Sequence, residues 1–221
     1  MCEGYLHNDT DYLAGGKRHF DELMQVIPAH DPQRVLDYGS CTGRVLRHFQ
    51  PLLNKGWTAS GTDMNPAYIM WGRKNLRVFK WFYKIQLPQI TGQFDFLYAL
   101  SVFSHIAEPT FFDLPIIAEL LREGGHAFLT IHDEISYENV KKGNSPIFYD
   151  FIKSDVNVNS WDLGYKSVIH KNFGKDCKVF FRRKHFISLC HKYNLHACKI
   201  KEYAHGCQTG ILFQKISRKI H

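Results

Sequence analysis

The sequence lacks the features of membrane-spanning and secreted proteins. No run of about 18 uncharged apolar residues is present, so we expect no membrane helix. Residues 1–16 have neither a basic flank nor an apolar core, so we expect no secretory signal. The six cysteines form no CxxC pair and are too sparse for a disulfide scaffold. We therefore expect a cytoplasmic protein with reduced thiols.

Metal-binding spacings, repeats and low-complexity tracts are lacking as well. Cys190 and His191 are adjacent, and Cys198 and Cys207 follow, but these intervals match no common zinc site, so we expect no metal. In contrast, 17 Phe and 11 Tyr in 221 residues provide enough apolar surface for a large core. We expect a single domain over residues 1–221.

Positive charge is in excess. The chain has 28 Lys and Arg against 21 Asp and Glu, a net charge of +7, and residues 171–184 hold six of these cations against one Asp. Two interpretations stay open. The charge indicates either an anionic partner such as nucleic acid, or a solvated basic face that serves solubility.

Hydrophobic periodicity predicts alternating strands and helices up to residue 131. Strands are predicted over 34–38, 57–62, 77–82, 94–100 and 126–131, and helices over 17–27, 42–53, 66–75 and 110–122. Alternation of this kind predicts a parallel sheet with helices on both faces, and ligands then bind outside the carboxyl ends of the strands.

The alternation stops at residue 133. Residues 133–175 mix Gly, Asn, Ser and Asp with aromatic residues, and a structureless loop of that length is uncommon in a compact domain. We expect a lid or small insertion over the carboxyl ends of the strands. A helix over 182–193 and strands over 195–203 and 209–216 follow, with a hairpin-like connection at Gly206.

The most informative segment is VLDYGSCTGR at residues 35–44. A strand ends in Asp37, and Gly39 and Gly43 allow backbone to approach a ligand closely. The spacing is not the G-x-G-x-x-G of dinucleotide sites, and no G-K-[ST] follows, which disfavours phosphate binding of the Walker type.

This segment resembles the first motif of class I S-adenosylmethionine-dependent methyltransferases, usually V-L-D-x-G-x-G-x-G. Two further segments resemble later motifs of that family: FDFLYALSVFSHI at 94–106 and LLREGGHAFLTIH at 120–132. HGCQTGILFQK at 205–215 is similar to the hairpin ending of some small methyltransferases of sugar or natural-product pathways. The resemblance spans residues 34–216.

The resemblance implies a fold, a cofactor and a set of binding residues. The fold is a Rossmann-like, doubly wound α/β domain with a mostly parallel seven-stranded sheet, an antiparallel C-terminal strand and a lid insertion at 133–175. The cofactor is S-adenosylmethionine, and the product is S-adenosylhomocysteine. The implied cofactor-binding residues are Asp37, Gly39, Ser40, Cys41, Gly43, Asp63, Met64, Tyr83, Ser101 and Val102.

Roles within this set follow from position. Asp63 ends the second strand, where an acid suits ribose hydroxyls, and Met64 could pack on adenine. Ser101 and Val102 follow the fourth strand and would line the methionine side. The chain departs from the pattern at Cys41, which replaces the middle glycine, and at Glu123, which replaces the usual proline. The third-strand acid is absent, and Tyr83 or Lys84 stands near its place.

The acceptor side offers several candidate groups. A methyl transfer to oxygen or nitrogen can use a general base, and His105 and His132 follow the fourth and fifth strands. Asp133 and Glu134 are further candidates for that base. Tyr12, His132, Tyr165 and His170 are candidate substrate-binding residues.

Three functional hypotheses stay open. The first is a methyltransferase that modifies O or N of a small metabolite, with the aromatic insertion around the acceptor. The second is an RNA or protein methyltransferase that uses the basic face at 171–184. The third is a binding protein of the same fold without catalysis. The segment after the fourth strand reads ALSVFSH, which lacks the [DNS]-P-P-[YFW] pattern of amino-directed DNA enzymes, so nucleic acid is not favoured. The oligomeric state is not readable from the sequence.

Overall fold

The apolar run at residues 34–38 forms the middle of a large sheet. The computed structural model describes residues 9–28, 33–106, 113–142, 156–157, 164–169 and 177–217. Within these ranges Val35 and Leu36 have no solvent exposure, as expected for a central strand covered on both sides.

Strands and helices alternate along the described chain. The strands are β1 (Arg34–Tyr38), β2 (Thr58–Asp63), β3 (Lys80–Tyr83), β4 (Phe94–Ala99), β5 (Leu121–Asp133), β6 (Val156–Asn157), β7 (Tyr165–Ile169), β8 (Cys177–Phe181), β9 (Leu195–His205) and β10 (Gln208–Lys215). The α-helices are α1 (Asp9–Met24), α2 (Gln50–Leu53), α3 (Pro66–Asn75), α4 (Asp113–Leu120), α5 (Glu134–Lys141) and α6 (Arg183–His191). Short 3-10 helices lie at Leu46–Phe49, Lys84–Gln89 and Phe103–His105. In these ranges we find no helix with the length and apolar character needed to cross a membrane.

The main sheet has the order β3-β2-β1-β4-β5-β10-β9. Its strands from β3 to β5 are parallel, with Val35 of β1 opposite Ala59 of β2 and Phe96 of β4. β10 runs antiparallel to both β5 and β9. This order confirms the predicted doubly wound, mostly parallel α/β sheet with an antiparallel strand at its C-terminal side.

Both faces of the sheet are buried. Val35 and Phe96 belong to one hydrophobic cluster, whereas their chain neighbours Leu36 and Leu97 belong to another. Successive side chains of a strand point to opposite faces, so the two clusters are the two layers between sheet and helices. The carboxyl edge of the sheet is left to receive a ligand.

A second, smaller sheet branches from the end of β5. His132 and Asp133 of β5 pair in parallel with Phe180 and Phe181 of β8, and β8, β7 and β6 continue antiparallel. The predicted lid at 133–175 contributes α5, β6 and β7 to this region, and its other residues lie outside the described ranges. Its role as a lid stays a prediction.

Several predicted element boundaries were wrong. Residues 42–53 were expected to form one helix, but they form turns, a 3-10 helix and the one-turn helix α2, which has Pro51 in its first turn. The predicted strand at 77–82 begins only at Lys80, and the first helix begins at Asp9, upstream of the predicted start at 17.

The boundary between α4 and β5 also differs from the prediction. The helix was expected to continue to 122, but it ends at Leu120, and Leu121 already pairs with Phe94 of β4. A register shift between Phe94 and Phe96 absorbs the Glu123–Gly125 segment as an irregularity in the strand. The helix over 182–193 and the last two strands agree with α6, β9 and β10.

Candidate functional site

The loop after β1 is joined to β2 by backbone hydrogen bonds. The N–H groups of Gly39 and Ser40 both donate to the carbonyl oxygen of Thr62, each at 2.9 Å. Gly39 has φ of +83°, and a Cβ on it would lie 2.5 Å from Cγ2 of Val102. The glycine is therefore required both by its conformation and by the approach of the loop after β4.

Cys41 takes the left-handed conformation of the glycine it replaces, with φ of +48°. Its N–H donates to Oδ2 of Asp63 at 2.9 Å, which joins the loop after β1 to the end of β2. Gly43 closes the turn by donating its N–H to the carbonyl oxygen of Ser40 at 2.8 Å. The loop is thus closed by backbone hydrogen bonds at Cys41 and Gly43, although position 41 is not a glycine.

Asp63 is held by two backbone hydrogen bonds. Oδ1 accepts from the N–H of Asn65 at 2.8 Å, and Oδ2 accepts from Cys41. Asn65, not Asp63, caps α3, since its Oδ1 accepts from the N–H of Ala67. A carboxylate can accept about four hydrogen bonds, so Asp63 retains acceptor capacity at a fixed position. This arrangement fits a ribose whose hydroxyls donate to the carboxylate.

Asp37 is buried near the end of β1. Its carboxylate is a neighbour of Tyr98 of β4 in the interior of the sheet. Burial raises the pKa of Tyr98, and the neighbouring Asp37 carboxylate raises it further. Tyr98 therefore stays a neutral phenol beside Asp37. Direct contact of Asp37 with the cofactor stays a prediction.

Exposed apolar side chains follow β2 and β3. Met64 is 83% exposed, and Ile85, which the sequence reasoning missed, is 85% exposed. Tyr83 ends β3 with the Arg73 guanidinium 4.5 Å from its ring centroid. Uncovered apolar groups of this size at the carboxyl edge are suited to cover a flat ring such as adenine.

The loop after β4 is held by a buried polar network. Ser101 has φ of +59°, and its N–H donates to Oγ1 of Thr130 at 2.8 Å. Gln208 of β10 forms hydrogen bonds with both residues. Its Nε2 donates to Oγ of Ser101, and its Oε1 accepts from Oγ1 of Thr130. Ser104 lies 3.1 Å from the Ser101 hydroxyl. Sequence reasoning missed Thr130 and Gln208, although Gln208 lies in the HGCQTG motif.

His105 lies at the end of the 3-10 helix after β4 and faces a lysine. Nζ of Lys178, from β8, is 3.3 Å from Nδ1 and 3.4 Å from Nε2 of His105. The small sheet thus brings Lys178, one of the cations of the basic segment 171–184, to the carboxyl edge of β4. His105 is half-buried.

His132 lies deeper, with 1% of its surface exposed. Its Nδ1 is 3.6 Å from Sγ of Cys207, and its ring is 5.2 Å from that of Phe180. Burial lowers the pKa of His132 to about 3, with a further contribution from Lys178. The imidazole is therefore neutral at physiological pH. Its roles as base and as substrate contact stay predictions.

Asp133 and Glu134 are engaged in structural contacts. Oδ2 of Asp133 accepts from Nη2 of Arg183 at 2.6 Å and from Thr209 at 2.7 Å, and Glu134 accepts from the N–H of Arg183 at 2.7 Å. Burial raises the pKa of Asp133, but hydrogen bonds from Ser136, Thr209 and Arg183 outweigh it and hold the pKa below its usual range. These contacts leave both carboxylates poorly placed to act as the base.

The predicted substrate residues are spread over several elements. Tyr12 of α1 has its hydroxyl 2.5 Å from Oγ1 of Thr42, so it contacts the loop after β1. The ring of Tyr165 packs 6.2 Å from that of Phe181 against the core. His170 lies outside the described residues. Among the described residues no cluster of three or more His, Cys, Asp or Glu side chains is placed to hold a metal.

Several solved structures that share this fold are methyltransferases. A 1,6-didemethyltoxoflavin-N1-methyltransferase from Burkholderia thailandensis, with bound S-adenosylhomocysteine, matches with a TM-score of 0.61 and 13% identity over 92% of this chain and 79% of that chain. The magnesium protoporphyrin IX methyltransferase of Synechocystis PCC 6803, also with S-adenosylhomocysteine, matches with a TM-score of 0.56 and 13% identity over 91% and 83%. A complex of the Haloferax volcanii Trm112 methyltransferase activator with a methyltransferase gives 0.63 and 13% over 95% of each chain.

At these identities the structural likeness establishes the fold alone. A comparison with curated proteins gave no significant match. A family profile described as a methyltransferase domain matches residues 6–198. The chain therefore belongs to the methyltransferase domain family. The predicted class, an S-adenosylmethionine-dependent methyltransferase of class I, is confirmed, and with it the cofactor.

Proposed function

We propose that the protein methylates an oxygen or nitrogen of a small metabolite, such as a sugar or natural product. The observation that carries this proposal is the burial of the side chains at the carboxyl ends of β4 and β5. Ser104, His132 and Phe180 are all buried there, although they lie at the ends of strands where ligands bind. These side chains are therefore not exposed along an open groove of the kind that a polymer needs.

The chain's own residues would bind and orient the two reactants. Asp63 would accept hydrogen bonds from the ribose, and Met64 and Ile85 would cover the adenine. The backbone of Gly39 to Gly43 would border the amino-acid end, and Ser101, fixed by Gln208, would hold the loop beside it. S-adenosylmethionine, when bound, supplies a methyl group on a sulfonium that is already a strong electrophile. The protein therefore contributes mainly proximity and orientation.

A proton must leave an oxygen or nitrogen nucleophile, and two histidines are placed to accept it. His105 has the better position, because it is half-buried, whereas His132 is 1% exposed. His132 is a weaker base, since its pKa of about 3 lies far from the operating pH. We assign the proton-accepting role to His105 and an orienting role to His132.

The cations of residues 171–184 give little support to the hypothesis of an RNA or protein methyltransferase. Of those that the structure describes, Lys178 turns toward His105, and Arg183 pairs with Asp133 and Glu202. Arg182 and Lys184 are exposed. The described cations therefore do not share one outward surface of the kind that tracks a phosphate backbone. Lys171 and Lys175 lie outside the described residues.

Thermal unfolding with S-adenosylmethionine and S-adenosylhomocysteine tests cofactor binding, with NAD and ATP as controls. A ligand at about a hundred times its dissociation constant stabilises by roughly 2.7 kcal/mol. For a chain of this size the unfolding temperature should rise by several degrees, on the order of 5–10 °C. The absence of a shift with both methyl-cycle ligands would favour the non-catalytic binding hypothesis.

Acceptor class is tested with S-adenosylmethionine labelled in its methyl group. Incubation with a low-molecular-weight metabolite fraction, total RNA and a protein fraction should transfer label to the metabolite fraction alone. His105→Gln should lower that transfer by roughly a hundredfold if His105 is the base. Label in RNA or protein instead would overturn the small-acceptor proposal.

A further inference from the structure

Four polar side chains meet beside the loop after β4, and three of them are buried. We call them the Ser101 network; its members are Ser101, Ser104, Thr130 of β5 and Gln208 of β10. Ser104 and Thr130 have no solvent exposure and Gln208 has 5%, whereas Ser101 is only half-buried. Of the four, Ser101 is therefore the one that can contact a ligand at the carboxyl edge.

The orientation of the Gln208 amide is fixed by Thr130. Oγ1 of Thr130 accepts from the N–H of Ser101 at 2.8 Å, so its own hydrogen has to go to another acceptor. Oε1 of Gln208 lies 2.7 Å away, which is the usual distance for such a bond, whereas the carbonyl oxygen of Ala99 lies at 3.4 Å. The amide oxygen of Gln208 therefore faces Thr130, and its NH2 group faces Ser101.

The hydroxyl oxygen of Ser101 is approached by two donors. Nε2 of Gln208 donates to it at 2.8 Å, and Oγ of Ser104 lies at 3.1 Å. Within the described part of the chain, Ser101 is the only hydrogen-bond partner of the buried Ser104 hydroxyl. A buried hydroxyl without an acceptor for its hydrogen is costly, so Ser104 donates to Ser101 and not the reverse. Both lone pairs of Ser101 are then occupied, and its own hydrogen remains to be donated to a ligand.

The start of β10 holds Gln208 in place. Its chain neighbour Thr209 donates from Oγ1 to Oδ2 of Asp133 at 2.7 Å, and the carbonyl oxygen of Cys207 accepts from Oγ of Ser136 at 2.5 Å. Gln208 is therefore fixed on both sides along the strand. Through its side chain it connects β10 to the loop after β4.

The Ser101 hydroxyl lies beside the loop after β1. The next residue, Val102, approaches Gly39 so closely that a Cβ on that glycine would lie 2.5 Å from Cγ2 of Val102. The loop from Gly39 to Gly43 is the one that we expect to border the amino-acid end of the cofactor. That end carries an ammonium group, which only donates hydrogen bonds, and a carboxylate, which only accepts them. A donor hydrogen on Ser101 therefore suits the carboxylate.

We propose that Gln208 is a positioning residue, which orients the Ser101 hydroxyl as a hydrogen-bond donor to the carboxylate of the cofactor. A hydrogen bond to an ionised group is stronger than a neutral one, so this contact selects ligands that carry the carboxylate. The proposal rests on the proposed function only where that places the amino-acid end of the cofactor beside Gly39. It does not depend on the class of the methyl acceptor.

The test compares S-adenosylhomocysteine with its decarboxylated analogue, in which a hydrogen replaces the carboxylate. In calorimetric titrations the wild-type protein should bind S-adenosylhomocysteine at least about tenfold more tightly than the analogue. Ser101→Ala and Gln208→Met should each weaken binding of S-adenosylhomocysteine by at least about tenfold and binding of the analogue by less than about twofold. Because both changes act through one hydroxyl, the double variant should lose no more than either single variant.

A second glutamine of β10 provides the matched control. Nε2 of Gln214 donates to the carbonyl oxygen of Gly124 at 3.4 Å, and Gln214 lies opposite His126, away from the carboxyl edge. Gln214→Met makes the same exchange of side chains and should leave the affinity for both ligands unchanged. If Gln208→Met does not fold, Gln208→Asn keeps the amide but is too short to reach Ser101 and Thr130 together, and it should show the same selective loss.

The outcomes separate this proposal from the proposed function. An unchanged affinity of the Gln208 variant for S-adenosylhomocysteine, or an equal loss for both ligands, would overturn the positioning role of Gln208. Equal binding of the two ligands by the wild-type protein would contradict the contact with the carboxylate and leave the proposed function intact. Failure of the wild-type protein to bind S-adenosylhomocysteine at all would contradict the proposed function itself.

Discussion

At the residue scale, Asp63 connects the end of β2 to the loop after β1. Its two oxygens accept from Asn65 and Cys41, at 2.8 and 2.9 Å. The same carboxylate thus positions the loop and offers its remaining lone pairs to a ligand. A substitution here affects cofactor binding by both routes.

Asp63→Asn should weaken binding of S-adenosylhomocysteine by roughly 1–3 kcal/mol. The amide keeps the shape of the carboxylate but removes its charge, and its NH2 group cannot accept from a backbone N–H. Isothermal titration of both proteins measures the change. Asp21→Asn, which removes only an exposed pair with Lys17 on α1, is the control and should bind as the wild type does. Equal affinity in Asp63→Asn would reject the ribose role.

Cys41 shows how a side chain is tolerated at a glycine position. A non-glycine residue in the left-handed region costs about 1–2 kcal/mol, and Cys41 has φ of +48°. The cost is borne because three backbone hydrogen bonds, from Gly39, Ser40 and Cys41 itself, hold the loop in this conformation. The conformation of the loop is therefore held by its hydrogen bonds, although position 41 is not a glycine.

Two substitutions at position 41 separate conformation from side-chain chemistry. Cys41→Val should lower stability by about 1 kcal/mol or more, because a β-branched residue is poorly accommodated at positive φ. Cys41→Gly should unfold at or slightly above the temperature of the wild type, since relief of the strain offsets the flexibility of glycine. Thermal unfolding and S-adenosylhomocysteine titration measure both. A marked loss of cofactor affinity in Cys41→Gly would show that the thiol itself takes part in binding.

At the element scale, most strands and helices could be predicted because their apolar residues repeat with the right period. β1, β4, α3 and α6 were placed within a few residues, and the parallel pairing of the sheet followed from their alternation. The four motifs then predicted a cofactor site at the carboxyl edge of this sheet. The hydrophobic period of the sequence was sufficient to predict a helix or strand wherever that element buries one continuous apolar face.

Elements that depend on distant contacts could not be predicted. β8 reads CKVFF within a run of cations, and its three apolar residues became recognisable as a strand only through pairing with β5. In the same way, nothing local ends α4 at Leu120, because the strand that follows is defined by pairing with Phe94. The proximity of Lys178 to His105 depends on the pairing of β8 with β5 as well, so it was not visible in the sequence.

Helix α1 docks closely on the loop after β1. A Cβ added to Gly16 would overlap the carbonyl oxygen of Arg44, which follows the glycine turn. Tyr12 contacts Thr42, and Phe20 packs edge-on against Phe49 at 4.9 Å between ring centroids. The helix and the loop are therefore packed against each other.

Gly16→Ala should lower both stability and cofactor affinity, although alanine is the better helix former by about 1 kcal/mol. The added methyl group has to displace the Arg44 backbone or lift α1 from the loop. Ala14→Gly, exposed on the same helix, separates the two effects: it should lower the unfolding temperature through helix propensity and leave S-adenosylhomocysteine affinity unchanged. Gly16→Ala with a raised unfolding temperature and normal affinity would show that α1 is not packed against the loop in solution.

At the scale of the whole molecule, burial of neutral histidines couples folding to pH. The pKa of His132 falls to about 3 through burial and Lys178, and that of His19 falls to about 4 through burial and its arginine neighbours. Burial lowers the pKa of His205 as well. The unfolded chain binds protons on these residues below about pH 6.5, whereas the folded protein excludes them.

The protein should therefore lose stability from about pH 6.5 downward, above the range where carboxylates titrate. A pKa that is depressed in the folded state contributes stability above the unfolded value, and that stability decreases as the pH falls toward the folded value. His132, which is 1% exposed, accounts for up to about 1.4 kcal/mol per pH unit. Urea unfolding at about pH 7, 6 and 5 measures the slope, and His132→Gln should reduce it, whereas His191→Gln, at an exposed position, should not. A wild-type free energy of unfolding that stays constant between about pH 6.5 and 5 would show that these imidazoles titrate freely, and that the carboxyl edge admits water to His132.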